Sequence, residues 1–283
     1  MIMLKKICKN IYYLFYDIIT LFRNLDHRYN FIVITPRLLS KLIKKSVIFD
    51  KLNKNIFIQN IRNDYDLITI YEIFSEESYN LRNFEIFKKV SEKLNLYLKN
   101  DTKPLMLDCG SNIGASSEYF KRIYKNAEIV MIEPDKNNLD YSKKNTSVKE
   151  KFIFNKAISS EEKLFKFSNL SEDNRAFKVA DSGNLEIESI NVEKILNIFG
   201  DEFQPFLIKI DIEGFEKNLF EKNYQWIKHF DIIIIELHDW MLPNKHNSNN
   251  FINAIYEIIN DGTKFDFLIS GENLILIKND INS

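Results

Sequence analysis

The sequence has few of the residues that mark disulfide-stabilised or zinc-binding proteins. Only two cysteines occur among 283 residues, Cys8 and Cys109, and they lie far apart. We therefore expect no disulfide framework, and reduced thiols fit a cytoplasmic protein. No CxxC or HExxH run is present and the four histidines are dispersed, so no zinc site is expected.

Acidic residues are scarce at the beginning of the chain. Residues 1–62 contain twelve Lys and Arg but only three Asp and no Glu, which gives a net charge of +9. Because the whole chain carries −1, the remaining residues carry −10. A basic segment joined to an acidic body indicates that the basic segment lies near something anionic. We predict a basic, largely helical N-terminal extension over residues 1–80 and a main domain over residues 81–283.

No apolar run near the N-terminus is long enough to span a bilayer. The run at residues 11–22 is interrupted by Asp17, and a spanning helix needs about twenty apolar residues. The apolar residues of this run fall on one helical face: Ile11, Leu14, Phe15, Ile18, Ile19 and Phe22. Two interpretations stay open: the helix packs on the main domain, or residues 1–45 rest on the anionic cytoplasmic face of the inner membrane. The aromatic residues lie on the apolar face rather than among the basic residues, so we expect no nucleic-acid partner.

Beyond residue 100, short apolar runs alternate with helical patterns, which is typical of a parallel sheet covered by helices on both faces. Strands are predicted at 105–108, 128–133, 151–158, 206–211, 231–237, 265–270 and 274–278, and helices at 81–99, 116–125, 136–145, 192–199, 214–223 and 249–260. The last two strands have no helix between them, which predicts an antiparallel edge. Alternating residues over 163–192 predict an inserted hairpin. Upstream, residues 55–64 predict a strand, and a helix follows with Asp66 as its N-cap.

The dinucleotide-binding fingerprint GxGxxG is absent, although a glycine turn follows the first of these strands. The stretch LMLDCGSNIGASSEYF (105–120) has the spacing D-x-G-x-x-x-G. In an open parallel sheet a cofactor would lie at this loop, against Asp108, Gly110, Asn112 and Gly114. Asp108 would repel a pyrophosphate but can accept hydrogen bonds from an ammonium group. These features favour S-adenosylmethionine, which carries an amino acid end and no phosphate, over a nicotinamide dinucleotide.

Polar residues at the ends of the following strands complete the predicted cofactor site. Glu133 ends the second strand, where a carboxylate can accept hydrogen bonds from both ribose hydroxyls. Asn155 and Ala157 end the third strand, where the adenine edge is expected. Asp211 ends the fourth strand and faces the same rim as Asp108 and Glu133.

Acidic residues and one histidine near the ends of the fourth and fifth strands are the candidate catalytic groups. In FLIKIDIEGFEKNLF (206–220), Glu213 and Glu216 follow Asp211, and an alternative interpretation is that the two glutamates stabilise the first turn of the next helix. His238 follows the fifth strand. We predict that Asp211, Glu213 or His238 is a general base, with Asp211 the first choice. A divalent cation held by the same three residues is an alternative, and we assign no metal ligand.

Five runs occur in order between about residues 100 and 240: LMLDCGSNIGASSEYF, IEPDKNNLDYSKKN, ESINVEKIL, FLIKIDIEGFEKNLF and IIIIELH. Together they resemble the successive motifs of the FkbM family of S-adenosylmethionine-dependent methyltransferases. The resemblance implies a class I methyltransferase fold, a Rossmann-like, doubly wound α/β sheet that is mostly parallel. It also implies methyl transfer to oxygen, commonly on a sugar hydroxyl of a glycan or a secondary metabolite. Residues 1–60 lie outside what the family specifies.

Two other functions are weighed against this one. A non-catalytic, membrane-associated binding subunit of a glycan assembly system is supported only by the basic head. An NAD-type oxidoreductase is disfavoured by the missing GxGxxG. We therefore expect an O-methyltransferase with a small-molecule or glycan acceptor. The loops of the protein that bind this acceptor are expected within residues 160–190 and 239–250.

Overall fold

The computed structural model describes residues 2–168, 178–179 and 185–279, so the predicted hairpin within 163–192 lies partly outside the described residues. The helices in these ranges are α1 (Ile2–Arg23), α2 (Arg37–Ile43), α3 (Asp64–Phe74), α4 (Phe87–Lys99), α5 (Ala115–Ile123), α6 (Lys136–Asn145), α7 (Val192–Phe199), α8 (Glu216–Leu219) and α9 (Asn249–Asn260). The strands are β1 (Phe31–Val33), β2 (Lys45–Asp50), β3 (Asn55–Asn60), β4 (Lys103–Cys109), β5 (Glu128–Ile132), β6 (Ile153–Phe154), β7 (Ala157–Ile158), β8 (Leu164–Ser168), β9 (Lys178–Val179), β10 (Leu185–Ile190), β11 (Phe203–Ile210), β12 (Ile232–Glu236), β13 (Phe265–Ser270) and β14 (Asn273–Lys278). Within the described ranges, none of the helices combines the length and the apolar character needed to cross a membrane.

A seven-stranded sheet in the order β13-β14-β12-β11-β4-β5-β6 forms the centre of the fold. The five strands from β12 to β6 in this order pair in parallel. The predicted antiparallel edge is confirmed as the closing hairpin, in which β14 runs antiparallel to both β12 and the outermost strand β13. The predicted fold class, a mostly parallel α/β sheet of the class I methyltransferase type, is confirmed by this order.

Successive residues of the central strands enter two different hydrophobic cores. In β12, Ile232 and Ile234 pack into one core with residues of α3, α4 and α5. Ile233 and Ile235 pack into the other core with residues of α7 and α9. Because both faces of the sheet are buried, these strands are apolar along their whole length, as predicted for a sheet covered on both sides. The single charged residue in the buried part of β11 is Lys209, and it belongs to the site described below.

The N-terminal part contains a three-stranded antiparallel sheet in the order β1-β2-β3, as well as helices α1 to α3. Strand β3 confirms the strand predicted at 55–64. The predicted N-cap of α3 is wrong: Asn63 is the N-cap, and its side chain accepts a hydrogen bond from the backbone of Asp66. Asp66 is instead buried in an ion pair with Arg62. Phe31 and Ile48 join the same core as α4 and α5, and the domain boundary at residue 80 stays a prediction.

Several predicted elements have different bounds in the structure. Helix α8 covers only four residues of the predicted 214–223, and it begins late because Glu213 and Gly214 have left-handed backbone angles that a helix does not allow. The predicted helix 81–99 is regular only from Phe87. The predicted strand 151–158 is divided: β6 pairs with β5, whereas β7 joins a second sheet in the order β7-β10-β8-β9.

Candidate active site

The carboxyl ends of β4, β5 and β11 meet at one edge of the central sheet and surround a cavity of about 620 Å³, including space open to solvent. Its lining includes the predicted cofactor residues Gly110, Asn112, Glu133, Ala157 and Asp211. Apolar side chains complete the wall: Ile132, Pro134, Ile158, Ile212 and Phe215. The cavity therefore combines a polar edge with a mostly apolar floor, as small-molecule sites commonly do.

Gly110 lets the loop after β4 press against the end of β11. Its φ angle is 80°, and a Cβ atom on Gly110 would lie 1.8 Å from the backbone oxygen of Asp211. No other residue fits this position without movement of the backbone. Two residues further on, Asn112 is also left-handed, with a φ of 48°, and its backbone N–H donates to the Glu133 carboxylate at 2.8 Å. The loop thus ties the ends of β4, β5 and β11 together around the cavity.

Glu133 is a buried carboxylate at the cavity edge. It accepts hydrogen bonds from the backbone of Asn112, the backbone of Asp135 and the side chain of Asn138. Burial raises the pKa of Glu133 to about 7, although these hydrogen bonds oppose the shift. A carboxylate has about four acceptor positions, so one remains for a ligand hydroxyl after these three bonds. Glu133 can therefore accept one further hydrogen bond from a ligand in the cavity. Its carboxyl group is only partly ionised at neutral pH.

Three residues predicted to contact the cofactor lie outside the lining of this cavity. Asp108 is buried and accepts hydrogen bonds from the hydroxyls of Ser116 at 2.6 Å and Ser117 at 2.5 Å, so its carboxylate holds the first turn of α5 to the end of β4. Gly114 is the left-handed N-cap of α5 and packs close to α6. The Asn155 side chain donates to the backbone oxygens of residues 133 and 134. These residues hold the loop and strand ends that surround the cavity, and the contact of Asp108 with a ligand ammonium group stays a prediction.

A second, wider cavity of about 1,680 Å³, including space open to solvent, adjoins the first. The two share four lining residues: Gly110, Asn112, Asp211 and Glu213. The wider cavity adds polar and aromatic side chains from several elements: Tyr79, Lys209, Glu236, His238, Trp240 and Glu272. A molecule in the first cavity and a molecule in the second would therefore meet beside Asp211 and Glu213.

His238 lies buried at the centre of a group of carboxylates. Its Nδ1 atom is 2.8 Å from Glu216, and its Nε2 atom is 3.4 Å from Glu236 and 3.6 Å from Asp211. Burial alone would lower the pKa of His238, but the hydrogen bonds to Glu216 and Glu236 and the negative charges of Glu216 and Asp211 outweigh it and raise the pKa to about 11. The imidazole is therefore protonated at neutral pH and donates hydrogen bonds through both nitrogens.

Lys209 is the second buried cation of the site. Its Nζ atom donates to the backbone oxygen of Gly110 at 2.8 Å and lies 3.2 Å from Asp211 and 3.4 Å from Asp108. Burial opposes its charge, but the neighbouring Asp211 and Asp108 keep the pKa of Lys209 well above its ordinary value. Lys209 and His238 thus approach Asp211 from two sides and orient its carboxylate.

Glu216 and Lys209 are functional residues that the predicted site omits. Glu216 is fully buried and accepts hydrogen bonds from Asn247 and His238. It also accepts from the backbone of Gly214, so the predicted capping role describes part of its bonding. The sequence carries a signal for Lys209, since a lysine in the middle of an apolar strand needs buried partners. The sequence carries no signal that distinguishes Glu216 from an ordinary glutamate in the first turn of a helix.

The three predicted catalytic residues are brought together by the structure. Donor atoms of Asp211, Glu213 and His238 all lie within 4.8 Å of one another, which is close enough to hold a divalent cation. Such a cation would need His238 to lose its proton, because a metal binds the neutral imidazole. In the protonated state the imidazolium itself balances the neighbouring carboxylates.

The sheet order, with the glycine loop after β4 and the buried carboxylate after β5, is that of the α/β fold of class I methyltransferases. Residues 108–267 match the family model described as the methyltransferase FkbM domain. The match covers more than half of the 283 residues, and the chain belongs to this family. The resemblance inferred from the sequence motifs is therefore confirmed. No curated protein matches the chain in sequence.

Three methyltransferases are among the solved structures similar to the chain, and each has a low sequence identity to it. The methyltransferase FkbM from Methylobacillus flagellatus KT is 17% identical with a TM-score of 0.41, over 62% of this chain and 44% of that one. The O-methyltransferase from Bacillus cereus, in complex with SAH, is 12% identical with a TM-score of 0.37, over 78% of this chain and 93% of that one. The precorrin-6y C5,15-methyltransferase from Geobacter metallireducens GS-15 is 11% identical with a TM-score of 0.32, over 69% and 86%. The chain thus spans less than half the length of the M. flagellatus protein.

Proposed function

We propose that this protein transfers a methyl group from S-adenosylmethionine to a hydroxyl group of a sugar or glycan. The observation that carries the proposal is the junction of the two cavities, where Asp211 and Glu213 line both. A methyl donor in the narrow cavity and an acceptor in the wide one would meet beside carboxylates, which can take up the hydroxyl proton.

The residues of the narrow cavity fit S-adenosylmethionine. The free acceptor position of Glu133 suits a ribose hydroxyl, and the apolar wall at Ile158 and Phe215 suits the flat face of adenine. Gly110 keeps the backbone of the loop close to the ligand, since any side chain there would fill the junction. When bound, S-adenosylmethionine supplies a methyl group activated by its positively charged sulfur.

Asp211 is the proposed general base. Its carboxylate is about one quarter exposed at the rim and is oriented by Lys209 and His238. His238 does not fit the role of base because a protonated imidazole has no free lone pair. With the methyl donor and acceptor bound, the Asp211 carboxylate would take up the proton of the acceptor hydroxyl as that oxygen became methylated. Glu213, on the same rim, is the alternative base.

The charge of the wide cavity favours a neutral, hydroxyl-rich acceptor. Its six carboxylates can accept hydrogen bonds from sugar hydroxyls but would repel a nearby phosphate or carboxylate; they are Glu72, Glu76, Asp211, Glu213, Glu236 and Glu272. Trp240 at its edge is largely exposed and offers a flat apolar face of the kind that packs against sugar rings. The acceptor class rests on this chemistry.

Substitution of Asp211 tests the proposal. We expect Asp211→Asn to lower the rate of methyl transfer by about 10²–10⁴-fold, because the variant cannot take the proton, while it still binds S-adenosylhomocysteine. The measurements are incorporation of labelled methyl groups into a panel of polysaccharide precursors and calorimetry with S-adenosylhomocysteine. Glu213→Gln is the matched control on the same rim.

Three outcomes would count against parts of this proposal. Near-normal turnover of Asp211→Asn would remove Asp211 as the base, and a large loss in Glu213→Gln alone would assign that role to Glu213. If calorimetry showed binding of NAD but not of S-adenosylhomocysteine, the proposed function would change from a methyltransferase to an oxidoreductase. Binding of S-adenosylhomocysteine with no transfer to any hydroxyl compound would contradict the acceptor class.

A further inference from the structure

Helix α1 presents its polar face to the rest of the protein. Asp17 and Thr20 are buried, and the Asp17 carboxylate accepts hydrogen bonds from the backbone and the guanidinium of Arg37, at 2.7 and 2.6 Å. On the same face, the hydroxyl of Tyr16 donates to Glu76 at 2.6 Å and the guanidinium of Arg23 donates to Glu76 at 2.7 Å. The partners of α1 in these hydrogen bonds are Arg37 of α2 and Glu76, which follows α3. Together they fix the rotation of α1 about its axis.

The opposite face of α1 is apolar and exposed. Its side chains, which we call the apolar face of α1, are Ile11, Leu14, Phe15, Ile18, Ile19 and Phe22. The neighbouring helix α2 also exposes Leu38, Leu39, Leu42 and Ile43. More than half of the large hydrophobic side chains that are exposed in the described part of the chain lie between residues 11 and 43. An apolar surface of this extent marks a site of contact with another molecule or a membrane.

Charge distinguishes a membrane from a second copy of the chain as the occupant of this surface. Residues 1–62 carry a net charge of +9, and Lys44 and Lys45 are exposed directly after α2. A symmetric dimer through this face would bring two equally basic segments together, which is unfavourable. A bilayer with anionic headgroups would instead attract the lysines while its hydrocarbon received the apolar side chains.

We propose that the apolar face of α1, together with the exposed leucines of α2, docks on an anionic lipid bilayer with the helix lying along the membrane surface. Helix α1 is close to the wide cavity, because Glu76 both accepts hydrogen bonds from the polar face of α1 and lines that cavity. Ile68 and Glu72 of α3 likewise line the wide cavity and the groove beside α1. The acceptor cavity therefore adjoins the polar face of α1, opposite the face that docks. The docking itself does not depend on which acceptor is used.

Vesicle flotation of the full chain tests the docking. We expect the protein to float with vesicles of equimolar phosphatidylcholine and phosphatidylglycerol, to stay behind with pure phosphatidylcholine, and to be released by high salt. Phe15→Ser combined with Ile19→Ser removes side chains that are 66% and 50% exposed on the apolar face of α1. This double variant is expected to reduce binding by about tenfold or more, because two large apolar side chains no longer enter the hydrocarbon.

A matched double variant on α9 controls for the loss of exposed apolar residues in general. Ile252→Ser with Tyr256→Ser removes side chains that are 55% and 65% exposed at the same helical spacing, and it is expected to float like the unmodified protein. Binding of S-adenosylhomocysteine to both variants verifies that each is folded. Equal flotation of the two double variants, or equal binding to both vesicle types, would overturn the proposal. A dimer that dissociates on substitution of Phe15 and Ile19, without vesicle binding, would overturn it in favour of a second copy.

Discussion

At the scale of single residues, the site consists of charges that are buried only because other charges surround them. Lys209 and His238 remain protonated among the carboxylates of Asp108, Asp211 and Glu216. Removing one partner from such a group leaves an unpaired buried charge, which is costly. The positions of these side chains are therefore mutually dependent.

The raised pKa of Glu133 predicts that cofactor binding depends on pH. If the carboxylate of Glu133 must be ionised to bind ribose, the affinity for S-adenosylhomocysteine falls as the pH drops below about 7. The ligand-free protein shows the opposite trend: its stability decreases as the pH rises from 4.5 towards 7, because the folded state holds the proton of Glu133 more tightly than the unfolded state does. Calorimetry across this range measures the affinity, and thermal unfolding measures the stability. Glu133→Gln should weaken binding and remove the pH dependence; a wild-type affinity independent of pH would contradict the role of Glu133.

The protonated state of His238 predicts that catalysis needs no added divalent cation. His238 is one of the three residues whose donor atoms lie within 4.8 Å of one another, and a pKa raised to about 11 keeps its imidazole charged at neutral pH, which opposes binding of a cation. We expect turnover to be unchanged after treatment with EDTA, and the imidazole NMR resonances of His238 to report a protonated ring at about pH 8. Turnover that is lost with EDTA and restored by Mg²⁺ would show that a metal replaces the proton.

The identities of most site residues could be predicted from the sequence, but their bonding could not. Asp211, Glu133 and Gly110 stand at strand ends, and parallel strands bring their carboxyl ends to one edge of a sheet. Asp108 stands at such an end too, yet its carboxylate accepts hydrogen bonds from Ser116 and Ser117 of α5 and is not part of the lining of the narrow cavity. That contact depends on how the helix packs on the strand, which no local pattern reports.

At the scale of elements, the loop between β4 and α5 and the end of β11 form one unit. The backbone N–H of Asp211 donates to the oxygen of Cys109, and the loop crosses the strand end at Gly110 without room for a side chain. The spacing of the two strands at the cavity therefore depends on this one position.

Gly110→Ala tests this contact between elements. The left-handed backbone alone costs an alanine about 1–2 kcal/mol, and the clash with the backbone oxygen of Asp211 adds to it. We expect a lower unfolding temperature and loss of S-adenosylhomocysteine binding. Gly262→Ala is the control, because Gly262 has a φ of 98° but nothing within 4 Å of an added Cβ, so it measures the backbone cost alone. Equal effects of the two substitutions would show that Gly110 matters only for its backbone angle.

Some elements with a periodic pattern were predictable to the residue, whereas the bounds of the predicted helix 81–99 and of α8 were not. The predicted helices at 192–199 and 249–260 have the observed bounds, because their apolar residues recur on one face and they flank buried strands. Helix α8 begins late because a left-handed glutamate, Glu213, precedes Gly214, and the sequence gives no sign of that conformation. Strands β1 and β2 belong to the small N-terminal sheet. No alternation of apolar and polar residues distinguished them from the helical extension predicted there.

At the scale of the whole molecule, the chain has a methyltransferase fold with a basic N-terminal region packed on it. The amphipathic pattern of α1 was visible in the sequence, but the side that faces the protein was not. An apolar face ordinarily packs inward, whereas here Arg37 and Glu76 supply charged partners for the polar face. These partners lie twenty or more residues away along the chain, so only the tertiary structure determines the orientation of the helix.

The outward apolar face of α1 also has consequences for handling the protein in solution. A molecule that holds the apolar face of a helix outward by ion pairs would self-associate increasingly as it is concentrated in plain buffer, and lauryl maltoside or added lipid would disperse it. High salt would act in two ways, since it strengthens apolar contacts and weakens the attraction to anionic headgroups. The two hydrogen bonds that Asp17 accepts from Arg37 keep the apolar face of α1 exposed to solvent. We therefore expect the protein to stay dispersed when it is purified at moderate ionic strength with a mild detergent.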